Sequence, residues 1–196
     1  MIIMVKYVRI DEELEIPQGI TCKINENKVI TVKGKKGEIS KDFGHAKKIE
    51  IEIKNNKIFL HADFPRKNTV ALTTTLKNII NNMFLGVEKG YEYRMKIVYS
   101  HFPITLEPPK KGSDVVLIKN FLGERAPRVT HSIGDVQIKA NKEEVIVSGP
   151  DKELVGQTCA NIQKTCRIKN KDKRVFQDGI YVYEKLLGDQ QLWVIK

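Results

Sequence analysis

The sequence predicts an α+β fold of two tandem duplicated domains, each a mainly antiparallel β-sheet packed by a helix. Three observations predict it. The chain has 196 residues, room for two cores of ordinary size. It repeats itself: Ile30, Val32, Lys33, Gly37 and Glu38 meet Val116, Ile118, Lys119, Gly123 and Glu124 at a constant offset of 86 residues. Both copies also run in one order, strand, turn, strand, a longer return, a hairpin and a helix, which is a sheet covered on one face.

In the first copy, Ile20 and Thr21 precede a strand from Val29 to Lys33 and line up with Ile104 and Thr105 ahead of Val115. Gly34-Lys35-Lys36-Gly37 then superficially matches the GxxG loop of KH domains, but that loop joins two helices. Glycines behind a strand predict a β-turn that displays two lysines. Ile49, Ile51 and Ile53 alternate with Glu50, Glu52 and Lys54, a strand with one wet face, and Asn55-Asn56 reverses the chain into Ile58 to His61. On the repeat, Ile51 and Ile53 match Val136 and Ile138, and Ile58 and Leu60 match Val145 and Val147. After Pro65, Leu72, Leu76, Ile79, Ile80, Met83 and Phe84 form one helical stripe, with Asn68 as N-cap and Gly86 as stop. The boundary falls between Gly86 and Gly90, giving domains 1–86 and 87–196. In the second copy Asp151 caps a helix whose Leu154, Val155, Cys159, Ile162 and Cys166 face the sheet. The segment Arg167 to Lys196 has no counterpart in the first copy.

That segment carries the functional signal. The net charge is +10, which attracts polyanions. Lys164, Arg167, Lys169, Lys171, Lys173 and Arg174 place six positive charges within eleven residues against Asp172 alone, and the rest of the second domain is neutral. Cations concentrated at a helix end suit phosphate binding, since each neutralised phosphate releases a condensed counterion; the plainer alternative is a solvated loop. Phe176 to Tyr183 reads as a turn at Asp178-Gly179 leading into a strand, which anchors the basic loop at its far end. Phe176, Tyr181 and Tyr183 are candidates either for stacking on bases or for ordinary packing.

Other chemistries find little support. The longest apolar runs, such as Ile2 to Val5, are far too short to span a bilayer, and no secretory leader is recognisable. Cys22, Cys159 and Cys166 form no CxxC pair and read as packing residues of a reducing compartment. His45, His61, His101 and His131 lack metal-ligand spacing, and no Walker loop, dinucleotide fingerprint or nucleophile elbow occurs. No catalytic site, metal or cofactor is expected.

Lys173-Arg174-Val175-Phe176-Gln177-Asp178-Gly179-Ile180-Tyr181-Val182 closely resembles the C-terminal signature of the L-six family of large-ribosomal-subunit proteins, in its eukaryotic L-nine branch. Val32-Lys33-Gly34, Tyr99-Ser100-His101-Phe102-Pro103, Lys119 to Glu124, and Gly149-Pro150-Asp151 through Gly156-Gln157 agree, so the resemblance spans essentially the whole chain. It implies two α+β domains from an ancient duplication and binding of large-subunit ribosomal RNA, mainly by the C-terminal domain, near the sarcin-ricin region where translation factors dock. The RNA contacts it implies are Lys164, Arg167, Lys169, Lys171, Lys173 and Arg174, with Arg125 and Arg128 in addition. It further implies neighbouring ribosomal proteins as partners, one copy per ribosome, no membrane, and a cytoplasmic location with nucleolar assembly in a eukaryote. The rival expectations are a free regulatory RNA-binding protein and an RNA-processing enzyme.

Overall fold

The computed structural model describes residues 8–110, 112–172 and 174–195; Lys173 and the run Ile2 to Val5 lie outside them. The chain divides into two compact units, residues 1–89 and 90–196. The first contains β1 (Arg9–Glu15), β2 (Thr21–Ile24), β3 (Val29–Gly34), β4 (Gly37–Asp42), β5 (Glu50–Lys54), β6 (Lys57–Asp63) and α1 (Lys67–Glu88). Two antiparallel sheets form, β1-β6-β5 and β2-β3-β4. Helix α1 packs on both, closing a core that includes Ile30, Ile58, Leu60, Leu76 and Ile80, all fully buried.

The turns follow backbone chemistry. Asn55 and Asn56 adopt φ of 48° and 61°, the left-handed pair that a two-residue hairpin needs. Lys35 and Lys36 form the exposed turn between β3 and β4, and the Lys36 amide donates to the Val87 carbonyl at 2.9 Å. Gly34 is required there, because a Cβ would sit 2.8 Å from both the Val87 oxygen and its Cγ2. The helix ends differ from the sequence expectation. Arg66, not Asn68, is the N-cap, since its carbonyl already accepts from Thr69 and Val70 directly behind Pro65. Gly86 is buried inside α1, and the helix stops at Lys89 with Gly90 at φ +81°, where a residue lacking Cβ turns left-handed without cost.

The second unit contains β7 (Tyr91–Val98), β8 (Thr105–Glu107), β9 (Val115–Lys119), a 3-10 turn (Phe121–Gly123), β10 (Arg128–His131), β11 (Gln137–Ala140), β12 (Glu144–Gly149), α2 (Lys152–Thr165), β13 (Gly179–Leu187) and β14 (Gln190–Val194). Its sheets are β10-β9-β8 and β11-β12-β7-β13-β14. Strands β8, β9 and β10 repeat β2, β3 and β4: Thr21 pairs Lys33 as Thr105 pairs Lys119. Strands β7, β12 and β11 repeat β1, β6 and β5.

The register corrects one part of the sequence alignment. Ile51 lies opposite Leu60 and Ile138 opposite Val147, so Ile51 corresponds to Ile138 rather than to Val136. A slip of two residues keeps the same face inward, which is why hydrophobic alternation alone does not detect it. Asp151 caps α2 as expected, its carboxylate accepting from the Glu153 amide at 2.8 Å. Val155, Cys159 and Ile162 are buried, while Leu154 is half-buried.

Two departures separate the units. The tight turn Gly34 to Gly37 becomes an excursion over residues 120–127 in the second unit, although Gly37 and Gly123 align by sequence. Strands β13 and β14 are added against β7, which in the first unit corresponds to the sheet edge β1.

Candidate nucleic-acid interface

The basic segment starts on the last turn of α2, where Lys164 is exposed. Cys166 and Ile168 are buried immediately after it, so alternate residues pin the chain while Arg167 and Lys169 point to solvent. Asn170 follows at φ 56°, in the left-handed region that asparagine tolerates. Asp172, the one acidic residue of the run, builds the next turn: its side chain accepts from the Arg174 amide at 2.9 Å and its carbonyl from the Phe176 amide at 2.9 Å. Asp172 also pairs with the Arg174 side chain at 3.4 Å, but that side chain is 92% exposed and the pair is screened. The Lys171 ammonium lies 4.7 Å over the ring of Phe176.

The far end is clamped. Asp178 is buried and accepts from the Ser100 amide, just beyond β7, at 2.9 Å. Tyr181 folds back so that its hydroxyl donates toward the carbonyls of Gln177 and Asp178, both at 3.4 Å. Its ring occupies the place of a side chain at residue 179, where a Cβ would come within 2.7 Å of it. The turn lies at Arg174-Val175 rather than at the expected Asp178-Gly179, where Gly179 already opens β13 and the dipeptide anchors the loop to the strand.

Of the site residues expected from the sequence, Lys164, Arg167, Lys169, Lys171 and Arg174 are exposed along this one segment, and Lys173 lies outside the described residues. Arg125 is exposed in the 120–127 excursion. Arg128 is differently placed. Its guanidinium holds both oxygens of Glu124, at 2.6 and 2.8 Å, and donates to the carbonyls of Thr165 at 2.7 Å and Arg167 at 3.1 Å. It also lies 4.2 Å over the Phe121 ring. A cation on the last carbonyls of a helix complements the helix dipole, so Arg128 organises the root of the basic loop. Hydrogen bonding to Arg128 holds the Glu124 carboxyl below its ordinary pKa. Burial pushes the thiol of Cys166 up to about 11 and that of Cys159 up to about 12, so both are neutral packing groups.

Beside the segment lies a concavity of about 810 Å³ between α2 and β13, edged by Lys164, Arg167, Phe176 and Tyr181. The sequence reading missed Trp193 and Lys185, on the paired strands β13 and β14, and the excursion that holds Glu124. A lone Trp near a chain end carries no pattern, whereas the spacing of Glu124 and Arg128 was visible and lacked only a reason to single it out. Among the described residues no three His, Cys, Asp or Glu side chains gather as a metal site. No helix among them is long and apolar enough to cross a membrane.

The family model for ribosomal protein L6 matches residues 16–90 and 111–179, one segment in each unit. The large ribosomal subunit protein uL6 of Staphylothermus marinus is 47% identical over 182 residues, covering 92% of this chain and 97% of its own. That of Methanobrevibacter smithii is also 47% identical, covering 93% and 99%, and that of Sulfurisphaera tokodaii is 44% identical, covering 95% and 98%. These relatives are archaeal, so the likeness runs to the family as a whole and does not single out the eukaryotic branch. With its two repeated α+β units and this coverage at nearly half identity, the chain belongs to the ribosomal protein L6 family.

Proposed function

We propose that this protein is a structural, non-catalytic constituent of the large ribosomal subunit that supports translation by holding ribosomal RNA. Its grip lies mainly in the second unit, near the sarcin-ricin region where translation factors dock. Neighbouring large-subunit proteins surround it, one copy serves each ribosome, and its place is the cytoplasmic ribosome, with nucleolar assembly in a eukaryotic cell. The names of the relatives support the ribosomal part of this reading.

One observation carries the RNA part: Lys164, Arg167, Lys169, Lys171 and Arg174 are exposed on a single segment fastened at Cys166, Ile168 and Asp178. Fastening lowers the entropy lost on binding, and the cations offset repulsion between phosphates of adjoining RNA helices. Recognition is of backbone and shape rather than of base edges, because the information-rich major groove of an A-form helix is too narrow for side chains to enter.

With about five phosphates engaged, log K falls against log salt with a slope of roughly −3.5 to −4.5. Changing Lys169, Lys171, Lys173 and Arg174 together to Ala flattens that slope by about 3 and leaves the melting transition in place. An unchanged slope, or a lost transition with unchanged affinity, assigns these residues a structural role instead. Sedimentation separates the ribosomal reading from a free regulator: the protein travels with large subunits, whereas a regulator stays near the top of the gradient.

A further inference from the structure

The concavity beside Phe176 does not end there. A second hollow of about 470 Å³ shares Ala160, Gln163 and Tyr181 with it and continues to Tyr93, Lys185 and Trp193. Together they make one groove along α2, leading from the basic segment to the added strand β14. Its contents are unusual for a surface hollow. Trp193 is 45% exposed and Tyr181 39% exposed, against the usual burial of large aromatic surface. The Lys185 ammonium is held between two rings, 5.2 Å from the centre of Tyr93 and 5.1 Å from that of Trp193. Lys164 and Arg167 edge the other end. Aromatic faces interleaved with fixed cations along a groove match an unpaired nucleic-acid strand, whose bases stack while its phosphates follow the charge. A paired helix offers no free base face to such a groove.

We propose that this groove seats an unpaired RNA segment of at least two nucleotides, one base against Phe176 and Tyr181 and the next on Trp193, with its phosphates held by Lys164 and Arg167 at one end and by Lys185 at the other. The inference rests on the RNA-binding reading above and adds to it a preference for unpaired over paired RNA. Positive charge at both ends of the groove selects a polyanion as the occupant, and the aromatic faces select one with flat rings.

Trp193 is the sole tryptophan of the chain and reports on its own site. The test titrates the full-length protein with a fully paired RNA hairpin and with the same hairpin carrying a two-nucleotide bulge, following RNA anisotropy and tryptophan fluorescence together. The bulged hairpin binds roughly tenfold more tightly and quenches Trp193, whereas the paired hairpin binds through the basic segment and leaves the fluorescence unchanged. Trp193→Ala abolishes the tenfold preference, and Trp193→Phe retains most of it. Equal affinity for both hairpins with no quenching overturns the groove assignment and leaves the basic segment's role standing. Binding of neither hairpin removes the RNA reading itself. Quenching by a Glu-rich peptide but by neither hairpin reassigns the groove to a protein partner.

Discussion

Strand β1 in the first unit and strand β7 in the second hold the same place in the duplicated sheet, and they meet the problem of an open edge in different ways. Arg9, Asp11, Glu13 and Glu15 alternate outward along β1, and charged side chains of this kind discourage further strand pairing. Strand β7 instead buries Tyr91, Tyr93, Met95 and Ile97 and is paired along its length by β13. Among the described residues the first unit completes this sheet with three strands. The addition in the second unit also fixes the far end of the basic segment: α2 ends at Thr165 with Cys166 as its cap, β13 begins at Gly179, and the segment is strung between these two points.

The largest test of that contrast removes residues 167–196. Ile180, Leu186 and Leu187 leave the core, each worth about 1.5–3 kcal/mol of burial, and β7 loses the strand that pairs with it from Tyr91 to Val98. Set against a total of about 5–15 kcal/mol, the second unit unfolds. Amide hydrogen exchange, read separately for the two units, shows loss of protection in residues 90–166 and retained protection in the first unit. If the second unit keeps its protection, β13 is an appendage, and the two edges are more alike than their sequences suggest.

A smaller test exchanges one glycine in each unit. Gly34→Ala drives a Cβ against the Val87 backbone oxygen, which cannot swing aside, and costs about 1–3 kcal/mol in the first unit while RNA affinity holds. Gly179→Ala meets first the Tyr181 ring, which can rotate away at the loss of its two long hydrogen bonds. Its cost in stability is about 1 kcal/mol, but the basic segment loses its far anchor and RNA affinity falls severalfold. Thermal unfolding and filter binding on both variants read the two effects. Equal losses of affinity would mean that the loop anchor has no special part in binding.

The contrast was partly visible in the letters. The alternation of Ile51 and Ile53, the Asn55-Asn56 turn and the α1 stripe all report local physics and stand where a short window predicts, while Ile49 is buried just ahead of β5 rather than in it. The extent of α1 was less legible, because Gly86 packs inside the helix and the stop is the left-handed Gly90. The cationic run was legible as composition. Its scaffold was not: Asp178 finds its partner at Ser100, 78 residues away in sequence, and Arg128 reaches Thr165 across 37, distances at which no window carries information. Trp193 acquires meaning only when β14 folds beside β13 and brings it to Lys185.

The smallest effect concerns alkali, and it also divides the units. In the second, burial pushes Cys159 and Tyr91 up to about 12 and Cys166 up to about 11, and raises Tyr93 as well. In the first, burial raises Cys22 to about 11. Lys57 is raised there too, by hydrogen bonds to Glu15 and Glu13, but it is exposed and its contribution is screened. A raised folded-state pKa means that the native chain keeps protons which the unfolded chain releases. Below the free-thiol value of 9.0 both states hold them and stability is unaffected; as pH climbs from there toward about 12, unfolding releases protons and stability declines. Because more such groups lie in the second unit, its transition falls to lower temperature first on alkaline titration. Cys159→Ala lessens the slope of that fall, whatever it does to the midpoint at neutral pH. Should both units decline in parallel and the variant leave the slope unchanged, the alkaline limit does not belong to the buried thiols and phenols of the second unit.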